Sequence, residues 1–234
     1  PAHRWLREFG RRIKPEARPL VILQPMGPVM FVFDVGDTEP EDGAPPLPPE
    51  VEHPFAVRCG HIGSELRRTI ENAKRDGVAV AEREESSQSA GKIRVADPGR
   101  PLQVLVKSKP KPEYVLLKLR YDVLLNAKLS PEGRYATLVH ELAHLYCGHL
   151  GTPNEKWWPD RRRIPRDVCE FEAESVCYLL CRRLGIDNPS DEYLAAYLRG
   201  RDETPEISLD CVVRTAGLIE QMGRMRLPLR KENA

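Results

Sequence analysis

His140-Glu141-Leu142-Ala143-His144 sets two imidazoles four residues apart, with a carboxylate directly after the first. On an α-helix, positions i and i+4 lie on one face, one turn apart. Both rings can then reach one Zn²⁺. Glu141 sits about 100° around the helix, where it cannot easily share the metal but can touch a water bound to it. This is the HExxH arrangement of a zinc hydrolase. Five positions with three fixed also arise by chance on surface helices, so the context has to decide. Tyr135 to Cys147 is strongly apolar, and Leu138, Val139, Leu142, Ala143, Leu145 and Tyr146 leave little of such a helix for solvent. Charged and polar groups inside a buried helix are costly unless paired or metal-bound. Gly148 or Gly151, with Pro153 beyond, is expected to end the helix.

A hydrolytic zinc site needs a third protein ligand and an open fourth position for water. Cys169 to Cys181 reads as a second apolar helix carrying Glu170, Glu172 and Glu174. Glu170 and Glu174 share a face, and Glu172 points away from both. One of the pair can complete a gluzincin-like His140/His144/Glu site while the other orients a ligand imidazole by accepting its free N–H. The residues alone leave both orders open: Glu170 as ligand with Glu174 behind it, or the reverse. The competing reading, three glutamates on a solvated face, conflicts with Phe171, Val176, Tyr178, Leu179 and Leu180 around them. His149 lies five residues past His144, rotated off the metal face, and reads as a helix-end structural residue. Cys147 reads as a small core residue. In the expected reaction Glu141 takes the proton of the attacking water and hands it to the leaving amine. Tyr178 and His149 are the candidates for a further oxyanion donor, and Tyr121 to Asn126 is expected to be the edge strand that an extended substrate joins.

The elements that must hold these residues read as α+β. Trp5 to Gly10 suggests a short amphipathic helix. Pro19 to Gln24 and Val29 to Val35 read as strands around a turn at Pro25-Met-Gly-Pro. About Asp37 to Pro54 is proline-rich and reads as an extended excursion. Ser64 is expected to cap a helix that Gly77 closes. Short strands are expected at Val78, Ile93 to Val95, Leu102 to Val106 and Tyr121 to Asn126, with Tyr114 to Leu119 ambiguous between strand and helix. Helices follow at Asp191 to Arg199, capped by Ser190, and at Leu209 to Met225, and Arg230 to Ala234 reads as a frayed tail. The expected architecture is a small, twisted mixed sheet packed on helices, with a more helical C-terminal part. Residues 1–60, a hairpin and proline-rich excursion packed on the core, divide from 61–234, although one continuous domain is also compatible.

The net charge of +1 argues against a dedicated nucleic-acid surface. The one local basic run, Arg161-Arg-Arg-Ile-Pro-Arg after Trp157-Trp158, reads better as a loop packed over the helices than as a nucleic-acid grip. No apolar run reaches the ~18–20 residues of a membrane span. Pro1-Ala-His-Arg-Trp has charges and no apolar core, so no signal-peptide pattern is present; a start at Pro1 is compatible with an excerpt or a processed product. Six cysteines without CxxC spacing read as reduced thiols of a cytoplasmic protein.

A strand (Tyr121 to Asn126), an HExxH helix followed by Gly-His (His140 to His149) and a helix with spaced glutamates and an alanine (Glu170 to Glu174) together resemble zincin-type metallopeptidases of the ImmA/IrrE group. The chain is also similar to the related C-terminal domain of ArdC-type antirestriction proteins, on whose side the hairpin Pro19 to Glu39, ending Asp34-Val-Gly-Asp-Thr-Glu, falls. The resemblance implies a zincin-like fold, Zn²⁺ as cofactor and Glu170 as the third ligand. It also implies a protease acting on a specific protein substrate, a transcriptional repressor or other regulator. The ArdC side implies an alternative: a non-catalytic binding module that recognises protein or DNA.

Overall fold

The computed structural model describes residues 1–22, 30–52, 54–86, 89–198 and 205–230. The turn expected at Pro25 to Pro28 and the last four residues lie outside them. The chain divides into two compact units, Pro1–Ala56 with Glu85–Ser89, and Val57–Glu84 with Ala90–Ala234. No helix among the described residues is long and apolar enough to cross a membrane.

In the first unit, α1 (Ala2–Phe9) ends at Gly10, whose φ of 59° is left-handed. The indole of Trp5 donates to the Phe33 carbonyl at 3.1 Å. Three short strands follow, β1 (Arg11–Ile13), β2 (Leu20–Ile22) and β3 (Met30–Val32), then β4 (Thr38–Pro40) and a one-turn helix, α2 (Pro49–Glu52). The expected β2–β3 antiparallel pair is present. The pairing of β1 with β4 is not legible in the sequence, because it joins segments 27 residues apart and β4 lies in the stretch read as an extended excursion. Arg11 makes the join, donating to the Thr38 hydroxyl at 2.7 Å and the Thr38 carbonyl at 3.0 Å.

The second unit begins with α3 (Glu65–Arg75), β5 (Val78–Arg83), β6 (Gly91–Val95), β7 (Pro101–Lys107), β8 (Glu113–Lys118) and β9 (Tyr121–Asn126). Ser64 stands at the N-cap of α3 but its side chain makes no capping bond; the Glu65 carboxylate instead accepts from the Gly63 N–H at 2.9 Å. The ambiguous Tyr114 segment is strand β8, paired with β7 as a hairpin. The main sheet is mixed, in the order β5-β9-β6, with β9 parallel to β5 and antiparallel to β6. This corrects the expectation that Tyr121 to Asn126 is an edge strand. Tyr121, Val123 and Leu125 are all buried, and a strand this apolar belongs in the middle of a covered sheet. Among the described residues β6 is the strand beside α4 that pairs on one side only.

Four helices complete the unit: α4 (Pro131–Tyr146), α5 (Arg166–Arg183), α6 (Ser190–Leu198) and α7 (Leu209–Arg224). Ser130 caps α4 by accepting from the Gly133 N–H at 3.1 Å, with Pro131 at the first helical position. Leu138, Val139, Leu142, Ala143 and Leu145 are fully enclosed, and α5 contributes Ala173, Val176, Leu180 and Cys181 to the same core. Ser190 does not cap α6 as expected. It is the first helical residue, fully buried, and its hydroxyl accepts from Asn188 Nδ2 at 2.6 Å. The carboxyl end of α7 is closed by Asn72 of α3, whose amide donates to the Met222 and Met225 carbonyls at 2.7 and 2.8 Å.

Two glycines let backbones meet where side chains could not. A Cβ on Gly91 would stand 2.6 Å from Thr137 Cγ2, so glycine lets β6 lie directly against α4. Gly148 has φ 84° and ends α4 as expected; a Cβ there would stand 2.1 Å from the Pro159 carbonyl oxygen. Gly148→Ala should therefore cost more than about 2 kcal/mol, from left-handed strain plus a backbone clash. Gly185→Ala, with φ 69° but open space around the added methyl, should cost only about 1 kcal/mol. Urea unfolding of the two variants checks the difference.

Candidate metal centre

α4 and α5 pack side by side, so His140 and His144 look across at the face carrying Glu170 and Glu174. His140 Nε2 and His144 Nε2 lie 3.2 Å apart. Glu170 Oε2 is 3.6 Å from the first and 3.4 Å from the second. Ligand atoms about 2.0–2.1 Å from a tetrahedral Zn²⁺ are separated by about 3.3–3.4 Å. The three atoms thus form one face of such a tetrahedron, and the donor set fits the metal. Glu170's other oxygen faces the exposed Arg166 at 3.6 Å.

Glu174 meets His140 on the other side of its ring. Its Oε2 is 3.0 Å from His140 Nδ1, the nitrogen turned away from the His144 and Glu170 atoms. Glu170 thus stands at the point shared by the two histidines, and Glu174 stands behind His140. Burial opposes charging His140, but hydrogen bonds to Glu170 and Glu174 outweigh it and raise the imidazole well above its ordinary value. The same bonds from His140 and His144 hold the Glu170 carboxyl well below the usual carboxylate range. Glu141 points elsewhere, toward β6, where it is hydrogen-bonded by the Ile93 backbone. Burial raises its carboxyl above the ordinary value, against the pull of His140 and His144.

His149 is more than a helix-end residue. Its Nδ1 is 3.0 Å from His144 Nδ1 and its Nε2 is 2.9 Å from Glu172 Oε2. The Glu172 carboxylate can only accept, so His149 Nε2–H donates to it, which leaves His149 Nδ1 to accept from His144 Nδ1–H. Burial lowers the imidazole's affinity for a second proton, despite Glu172, in keeping with that neutral tautomer. Both ring nitrogens are therefore occupied, which removes His149 as an oxyanion donor. Tyr178 instead faces the Arg182 guanidinium, 5.4 Å from its ring.

Glu172 points away from the other two glutamates, as expected, but it is fully buried, not solvated. Arg161 grips it in a fork at 2.6 and 2.7 Å, and the Ser208 N–H donates at 2.7 Å. The row His144–His149–Glu172–Arg161 was not read from the sequence. Its signals were the Gly-His after the motif and a glutamate flanked by Phe171 and Ala173. The basic run is largely spent on structure: Arg161 holds Glu172, and Arg162 pairs with Asp160 at 2.6 Å. Trp158 is buried, its indole donating to the Gly151 carbonyl at 2.9 Å. Arg230, placed by the sequence in a frayed tail, stacks on Trp157 and Trp158 and pairs with Asp76 at 2.7 Å. Asp76 in turn accepts from the Tyr146 hydroxyl at 2.9 Å.

Cys147, His149 and Glu172 also converge. They suit a metal poorly, since Glu172 is already saturated. The Cys147 thiol, pushed up to about 12 by burial, turns toward Thr215 at 3.4 Å. All six cysteines are free, and Cys147, Cys177 and Cys181 are buried.

Residues 100–180 match the IrrE N-terminal-like domain of peptidase family M78. This segment is related to the ImmA/IrrE-type peptidases. It spans β7 through most of α5, so His140, Glu141, His144, Glu170 and Glu174 all fall within the match, which points to function of a metallopeptidase type. No curated protein matches the chain at a significant level. Among solved structures, the metal-free antirestriction protein ArdC from plasmid R388 aligns with 97% of this chain and 78% of its own, at 15% identity and a TM-score of 0.33. A likeness that slight carries no argument.

Glu172 yields a pH-dependent prediction. Burial opposes its charge, but His149, Arg161 and the Ser208 N–H lower the carboxyl from 4.5 to about 2. A depressed carboxyl stabilises the fold fully above its unfolded value, and the contribution fades as pH falls from about 4.5 toward about 2. Glu172→Gln should lower the neutral-pH stability of the metal-free protein by roughly 3 kcal/mol. It should also flatten the stability-versus-pH curve across that window, as measured by denaturant unfolding at a series of pH values.

Proposed function

We propose that this protein is a zinc-dependent endopeptidase. His140, His144 and Glu170 hold the ion, and Glu141 acts as general base and then general acid. The observation that carries the reading is the triangle of ligand atoms at 3.2, 3.4 and 3.6 Å, with a buried carboxyl beside it whose proton affinity is raised. The metallopeptidase relation of residues 100–180 supports it.

When bound, the cation would serve as a Lewis acid toward a water and a peptide carbonyl. The remaining work falls to the chain. Glu141, its proton affinity raised, accepts the proton of the attacking water and delivers it to the leaving amine. The Ile93 backbone fixes the carboxylate for that transfer. Glu174 holds His140, and His149, oriented by Glu172, holds His144, each through the Nδ1–H of the ligand ring. An extended substrate is suited to β6, whose outer edge has no partner among the described residues and which lies against α4. The proposed substrate is a specific protein, a transcriptional repressor or other regulator, cleaved in the cytoplasm.

Glu141→Gln should retain zinc by elemental analysis and lose cleavage. Comparing protein termini in cells that express the intact and Glu141→Gln proteins tests this. Termini unique to the intact form are expected; their absence would favour the non-catalytic binding module. His149→Phe should weaken zinc about 10- to 100-fold in a chelator competition. Because His140 must give up a strongly held proton to bind a metal, zinc affinity should rise as pH is raised, measured by chelator competition at a series of pH values.

A further inference from the structure

Away from the metal centre, a cavity of about 490 Å³ opens between α3, the β7–β8 hairpin and the segment after α7. Its charged lining is Arg67, Arg68, Lys74, Arg75 and Arg226 against the single acid Glu71. Glu71 is taken by Arg67 at 2.8 Å. Among the described residues no carboxylate pairs with the other four cations. The whole chain carries a net charge of only +1, so this concentration is local and not a reflection of general basicity.

Two of these cations are held against their own repulsion. Arg75 is 7% exposed. It donates to the Leu105 carbonyl at 2.8 Å, and Arg226 donates to the same oxygen. Arginine is rarely buried without an acid, and one carbonyl oxygen does not neutralise two guanidinium groups. Burial, and then the neighbouring Arg226, holds Arg75 below the ordinary arginine value against the opposing pull of Glu71. An anion between the two forks would remove that penalty, and guanidinium forks match phosphate oxygens in pairs.

The cavity is larger than one phosphate needs and falls in the volume range of small-ligand sites, about 300–1,000 Å³. Tyr114 lines it with 55% of its surface exposed, and Gln103 and Ser108 add neutral hydrogen-bonding groups. An exposed aromatic beside cations is the pairing that stacks a base while its phosphate is held. We propose that this cavity binds a nucleotide, its phosphate between Arg75 and Arg226 and its base on Tyr114. The nucleotide can be free or part of a single strand, since both offer the same phosphate and base.

Calorimetric titration of the full, zinc-loaded chain with AMP and with inorganic phosphate, and anisotropy with a labelled short oligothymidylate, test this. AMP is expected to bind more tightly than phosphate and to weaken as salt rises. The double variant Lys74→Gln/Arg226→Gln, which leaves buried Arg75 untouched, should weaken AMP at least about tenfold by removing the Arg226 fork from the phosphate and the Lys74 charge from the cavity lining. Tyr114→Ala should weaken AMP while leaving phosphate unchanged. Tighter oligothymidylate than AMP would assign the site to a single strand, and the reverse to a free nucleotide. Absence of binding by both, or binding that neither variant alters, would overturn the proposal, as would stronger binding of an oligoglutamate peptide than of either nucleotide probe.

Discussion

Two helices buried nearly all round must pack together while carrying histidines and carboxylates on their facing sides. That constraint governs the centre of the molecule. Between α4 and α5 there is little water to satisfy ring nitrogens and carboxylate oxygens, so each must find another. The outcome is a closed set of contacts. His140 lies between Glu170 and Glu174; His144 lies between Glu170 and His149; His149 leans on Glu172, and Glu172 on Arg161. Among the described residues, the point that suits a divalent cation is the triangle of His140 Nε2, His144 Nε2 and Glu170 Oε2.

The rest of the unit keeps that set rigid. Gly91 lets β6 approach α4, so that a strand backbone reaches Glu141. Gly148 lets the chain turn back beneath α4, bringing Arg161 to Glu172 and burying Trp158 against Tyr146. The Ser208 N–H, at the start of α7, ties a third helix to the same glutamate. Glu172 is therefore a junction between the metal-facing helix pair and the C-terminal helix, although it touches no candidate ligand directly.

Near-neutral overall charge hides two very different local arrangements. Around the metal centre the charges are paired and enclosed. In the cavity beside α3 the cations outnumber the acid, and one of them is buried without a carboxylate. A net charge counts residues without regard to place, so it could not separate a loop whose arginines are consumed by the fold from a cavity whose arginines are not. The sequence run at Arg161 to Arg166 drew attention for its density, yet Arg68, Lys74, Arg75 and Arg226 of the cavity are the cations that no carboxylate pairs with among the described residues.

Local periodicity was enough to read much of this protein. The helical spacing of His140 and His144, the shared face of Glu170 and Glu174, the opposed direction of Glu172 and the two ends of α4 follow from residues close in the chain. Those features depend on backbone geometry that repeats every few residues, so the sequence alone determines them. What it could not determine was which groups separated by tens of residues would meet. That β9 is central and β5 and β6 are the edges, that Glu174 stands behind His140, that His149 bridges to a glutamate held by Arg161, and that Arg230 docks on Trp157 and Trp158 are products of packing. Such contacts depend on how whole elements stack, and nothing in the local pattern of either partner specifies the other.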